Sequence, residues 1–189
     1  MDAFAYLSVL LSIILGLAIT QILQGYRGLL LARSNVRLYA PTIVWSVLLL
    51  FFSAQLWWAS FGLASHKQWD FATFAVILLQ TVLLYMMSAI VLPDVPNGAG
   101  VDLQAHYYRE VMPFFCTSLL MLAASIGKDW MLNGRLPSTI NLAFHAFFAG
   151  IAIVGIATRK PRVHFLIAFI MAFFSVAYVS LLFARLGQS

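Results

Sequence analysis

The stretch AFAYLSVLLSIILGLAITQILQGY, residues Ala3 to Tyr26, contains no Asp, Glu, Lys or Arg. A helix needs about 20 mostly apolar residues to cross a hydrocarbon core of roughly 30 Å, so this run can span a bilayer. Leu38 to Ser65, Phe71 to Pro93, Val111 to Gly127, Leu136 to Thr158 and Phe165 to Ala184 are uncharged as well. The fourth run is the shortest and holds Pro113, but Arg109 and Lys128 at its ends carry stems long enough to reach the interface. The expected fold is all-α: one polytopic transmembrane bundle of six helices over 1–189, with spans near 3–26, 41–64, 71–93, 108–128, 138–158 and 163–185. The runs are solidly apolar, without the alternation of outer-membrane strands, which disfavours a β-barrel.

Composition points the same way. Hydrophobic residues make up 63% of the chain and charged residues 9%, far from the roughly 25% charge of soluble domains. The first run is read as a retained helix and not a cleaved signal peptide, because no Lys or Arg precedes it and no small-residue cleavage site follows. A net charge of +5 does not indicate a nucleic-acid partner, since the basic residues are divided among loops. Instead, Arg33, Arg37, Arg159, Lys160 and Arg162 are expected to meet anionic lipid headgroups.

Orientation follows from Lys and Arg near span ends. Arg27, Arg33, Arg37, Arg109, Arg159, Lys160 and Arg162 fall in the first, third and fifth loops; Lys67, Lys128, Arg135 and Arg185 fall on the other side. Both termini are therefore expected to be non-cytoplasmic. Trp57, Trp58, Trp69 and Trp130 would form an outer aromatic belt, with Trp45 near the inner edge.

Two polar patterns stand out within the spans. In the first, Ser8, Ser12, Gly16, Thr20, Gln24 and Gly28 recur every four residues, a ridge along which another backbone could approach closely, inside the bundle or in a homo-oligomer. In the others, Gln55 and Gln80 each sit about nine residues, or roughly 13 Å, from the loop that joins their helices. Counting from helix ends brings Ser12, Ser118, His145 and Ser175 near that depth, with Tyr178 slightly closer to the surface. This layer is the candidate site. The competing reading has the hydroxyls bonded back to their own helices, the two glutamines clamped to each other, and His145 a satisfied core residue.

The acids narrow the function classes. Asp2, Asp70, Asp94, Asp102, Glu110 and Asp129 all lie at span ends or in loops, so the chain lacks the intramembrane carboxylate typical of a proton or sodium relay. No cofactor is expected, and no catalytic signature is found; a Ser118 or Ser175 dyad with His145 would have no acidic orienter. Asp102, His106 and Glu110 are spaced by four and, with His164, could hold a metal, but a helix capped by Asp102 with His106 paired to Glu110 is the expected reading. The expected function is a channel or uncoupled carrier for a small solute. The alternatives are a scaffold, assembly factor or sensor subunit, and a lipid- or quinone-directed enzyme.

Overall fold

A computed structural model describes the backbone of residues 3–66, 69–95 and 100–186 and the side chains of most of them, those of 3, 65 and 178–186 excepted. Six α-helices are present among the described residues: α1 (Ala3–Leu31), α2 (Ala40–Ser60), α3 (Phe71–Val91), α4 (Leu103–Asn133), α5 (Thr139–Ala157) and α6 (Pro161–Leu186). The first five are long and apolar enough to cross a membrane, and α6 contributes an apolar stretch from Pro161 to Ala177. The helical membrane bundle expected from the uncharged runs is the observed architecture.

Local chemistry sets the helix ends. Asp70 caps α3 by accepting from the Thr73 N–H at 2.6 Å, and Asp102 caps α4 by accepting from the N–H groups of Gln104 and Ala105. Pro41 and Pro161 stand in the first turns of α2 and α6, where the missing N–H costs nothing. Gly134 stops α4 in the left-handed region, at φ 64°, which a side chain would disfavour. These signals lengthen α4 beyond the span expected at 108–128. It begins at the Asp102 cap and runs to Asn133, so Lys128 lies inside the helix and not at its border.

The helices make a closed ring. α2 packs on α3, α3 on α4, α4 on α5, α5 on α6, and α6 back on α2, while α1 lies outside against α2 and α3. The buried seam of α1 is Leu7, Leu11, Leu15, Ala18, Ile22 and Leu29. Steps of four broken by one of three, with a last step of seven, hold a stripe near the 3.6-residue period and keep it facing the ring. The small-residue ridge, stepping by four throughout, drifts about 40° per step and passes round the back of the helix. Ser12, Gly16, Thr20 and Gln24 are accordingly exposed, and Gly16 has open space where a Cβ would be. Ser8, Ser12 and Thr20 bond to the carbonyls of Ala5, Ser8 and Gly16. Toward the end of the ridge Gly28 lies against Val95. The close backbone approach inside the chain is instead at Gly25, where an added Cβ would fall 2.7 Å from Leu92 Cβ.

The loops after α1, α3 and α5 meet at one end of the ring. β1 (Val36–Arg37) pairs in parallel with β2 (Val101–Asp102), and Arg37 reaches Asp102 at 3.2 Å. Tyr39 bonds Tyr108, and Arg159 donates to the Tyr108 carbonyl from the third of these loops. Burial and the Tyr108 bond push the Tyr39 phenol well above its usual range. We call this the odd-loop end. The opposite end carries the loops after α2 and α4.

Candidate functional site

A cavity of about 320 Å³ lies within the ring, lined by side chains from α2, α3, α4, α5 and α6 and none from α1. A void needs only about 10–15 Å³ to admit one water, so this space is far larger than a packing defect. It falls at the small end of the range of ligand pockets. Its wall is mainly apolar: Phe52, Met87, Met121, Phe144, Phe148 and Met171 are the large contributors.

At the odd-loop end the cavity stops on aromatic rings. Trp45 meets Phe114 and Phe115 edge-on, each at 5.4 Å, and Phe115 fits against Gly155 so closely that an added Cβ would fall 2.4 Å from the ring. Behind these rings, Tyr107 donates from its hydroxyl to His164 Nδ1 at 2.9 Å, and His164 Nε2 donates to the Thr158 carbonyl at 2.8 Å. Both ring nitrogens of the fully buried His164 are thereby satisfied in a neutral tautomer. Tyr39 stacks at a tilt on Tyr107 and completes the plug. Toward the other end the cavity reaches Lys128, Asp129 and Asn141, near the turn between α4 and α5.

Five members of the polar layer expected from sequence are brought together here: Gln55, Gln80, Ser118, His145 and Ser175 all line the cavity. Ser12 is not among them, being exposed on α1, and the side chain of Tyr178 lies outside the described residues. The clamp between Gln55 and Gln80 that belongs to the competing reading does not form among the described residues, and Gln80 Oε1 is buried without a hydrogen-bond partner. Ser175 Oγ is in the same condition. Trp45 Nε1 is also buried without a bond of acceptable geometry, although the Tyr107 hydroxyl lies near it. Ser118 behaves otherwise and donates to the Phe115 carbonyl at 2.8 Å. His145 Nδ1 donates to the Asn141 carbonyl at 2.7 Å, and the residue belongs to the cavity wall.

Sequence reading missed Lys128 and Trp45. Lys128 was placed at the interface because the uncharged run ends there, but the helix stop signal, Gly134, is six residues further on and puts the lysine more than a turn inside α4. Trp45, expected near the inner edge, is a core ring, since its position on α2 faces the ring interior. Trp57, Trp58 and Trp130 are exposed, as belt residues would be. Trp69 is partly buried and donates to the His66 carbonyl.

The Asp102, His106, Glu110 and His164 constellation does not converge. Asp102 caps α4, and Glu110 pairs with Arg109 and not with His106. His106 donates from Nε2 to the Ile90 carbonyl and accepts from Arg109 at Nδ1. No group of three potential metal ligands forms among the described residues. No protein-family model, curated protein or solved structure matches the chain.

Proposed function

We propose that this protein binds a small, mostly apolar solute inside its helix ring and passes it across the membrane as an uncoupled carrier. The observation behind this reading is that two residues with a buried polar atom lacking a partner, Gln80 at Oε1 and Ser175 at Oγ, belong to the wall of the same large cavity. Leaving such an atom unsatisfied costs about 1–3 kcal/mol, a cost that a polar group bound in the cavity would relieve once the side chain turned toward it. The aromatic plug favours a carrier over an open channel, because the cavity is closed at the odd-loop end. With both termini non-cytoplasmic, the Lys128 end faces outward and the Arg-rich odd-loop end faces the cytoplasm and its anionic headgroups.

Flux into liposomes carrying the purified protein, measured across ions, water and small neutral solutes, tests the proposal. One solute should equilibrate, and Gln80→Leu and Ser118→Phe should each change its rate without altering the fold. Silence across the panel would turn the assignment to a scaffold, whose support is the outward ridge of α1. In that case Gly16→Leu, at a position with open space around it, should break an oligomer or a partner complex.

A further inference from the structure

Lys128 is partly buried and lines the main cavity and also a smaller one of about 40 Å³ between α1, α2 and α3. Leu56, Ala59 and Gln80 line both as well, so the lysine belongs to the wall shared by the two spaces. The Cα–Cβ bond of a helical residue tilts toward the helix N-terminus, and for α4 that direction runs from the even-loop end into the bundle. The Lys128 stem therefore starts inward. No carboxylate lies within ion-pair distance of it among the described residues. An ionisable side chain inside a membrane bundle usually has a partner there, and among the described residues this one makes no ion pair, Asp129 attracting it only at longer range.

The neighbours define what the partner would be. Gln55 and Gln80 bring side-chain amides, each able to donate two hydrogen bonds, to the same cavity. Phenylalanines and methionines supply the rest of the wall. Asp129 follows Lys128 and is displaced by about 100° around α4, so it borders the cavity without pairing with the lysine. Its charge works against any anion in the cavity, and more against a dianion than against a monoanion held at Lys128. A volume of about 320 Å³ is also too small for a two-chain phospholipid.

We infer that the cavity takes an organic monoanion, a single-chain or single-ring molecule whose carboxylate-type head sits at Lys128 with Gln80 and Gln55, and whose apolar body lies among Phe52, Met87, Phe148 and Met171. This rests on the cavity being a binding site, as proposed above. The head needs no metal and no covalent step; the ammonium and two amides supply charge-assisted and neutral hydrogen bonds.

The test uses the full chain in phosphatidylcholine nanodiscs with 8-bromooctanoate and 8-bromooctan-1-ol, whose bromine quenches indole emission. Both should quench saturably, and Trp45→Phe should remove that component. The carboxylate should bind at least about tenfold tighter than the alcohol, the factor expected of one charge-assisted bond of about 1.4 kcal/mol or more. Lys128→Met should abolish that preference while the alcohol still binds, and Lys128→Arg should retain it. Equal affinities in the unmodified protein, or a preference that survives Lys128→Met, would overturn the monoanion inference and leave the cavity reading standing. If neither probe quenches Trp45, both fall. Should Lys128→Met not fold, the wild-type ratio and Lys128→Arg decide the matter by themselves.

Discussion

Gly155→Ala offers the sharpest structural test, because Gly150 on the same helix provides its control. A Cβ at residue 155 would lie 2.4 Å from Phe115 Cε2 and 2.7 Å from Cδ2 and Cζ. Nothing lies within 4 Å of a Cβ built at Gly150. Each substitution gains the same helix propensity, up to about 1 kcal/mol, so the difference between them isolates the collision. Phe115 is 1% exposed and held between Trp45 and Phe114, leaving its ring little room to retreat except toward the cavity. Overpacking of this kind costs about 1–3 kcal/mol. For a chain of this length that corresponds to an apparent Tm about 2–12 °C below Gly150→Ala. Heating both variants at one scan rate in nanodiscs, with helicity and Trp emission recorded together, provides the measurement, a fixed rate being needed because membrane proteins commonly unfold irreversibly. Gly155→Ala should also shift Trp45 emission before unfolding. If it melts at or above Gly150→Ala, the ring of Phe115 is not wedged against α5, and the floor of the cavity is not built as described.

Gln80→Leu should leave stability unchanged or raise it by up to about 1–3 kcal/mol, since it removes an unsatisfied buried oxygen, while lowering solute binding; a large loss of stability would mean that Gln80 is a packing residue. Tyr107→Phe should cost about 1–3 kcal/mol by leaving the buried His164 Nδ1 without a donor, and an unchanged melting temperature would remove that bond from the account of the plug. Arg37→Ala should change stability by no more than about 1 kcal/mol and less still in high salt, because the pair with Asp102 is exposed; a larger cost would show that the β1–β2 contact depends on it. Asp70 and Asp102 are held below the usual carboxylate range, chiefly by their capping bonds to Thr73 and Ala105. A depressed folded value adds stability above the unfolded pKa of about 4 and loses it as pH falls through the folded value. The double variant Asp70→Asn and Asp102→Asn, which keeps good capping residues, should therefore flatten the acid limb of a Tm profile, and an unchanged limb would assign acid sensitivity elsewhere.

The spans were legible because a hydrocarbon slab admits few charges, so the gaps between charges mark helices whatever their neighbours. The shared depth of Gln55, Gln80, Ser118, His145 and Ser175 followed from counting 1.5 Å per residue along helices of alternating direction. Azimuth was harder. Ser12 has a suitable depth but lies on the back of α1, and which way a helix faces is decided by its neighbours across the ring. Lys128 departs from its expected border position for another reason, since hydropathy marks where charge begins whereas helix length is set by capping, here Asp102 and Gly134. The pairing of Tyr107 with His164, 57 positions apart, leaves no periodic trace in the sequence.

Hydrogen-bond satisfaction separates packing from site in this bundle. Ser53, Thr81 and Ser88 are buried and donate to the carbonyls of Leu49, Ile77 and Leu84, the local solution open to any hydroxyl on a helix. These residues need nothing from a ligand. Ser175 has the same chemistry and a carbonyl four residues back on its own helix, yet its buried oxygen makes no bond, in a residue that belongs to the cavity wall. Gln80, whose long amide could have reached a neighbour, does the same. A sequence selected only for packing would place apolar residues at both positions, because helix association in lipid gains only about 0.6 kcal/mol from an average interhelical bond and nothing from a bond left unmade. On the proposed reading, these two side chains of the cavity wall would turn to meet the polar group of a ligand whose body is otherwise apolar.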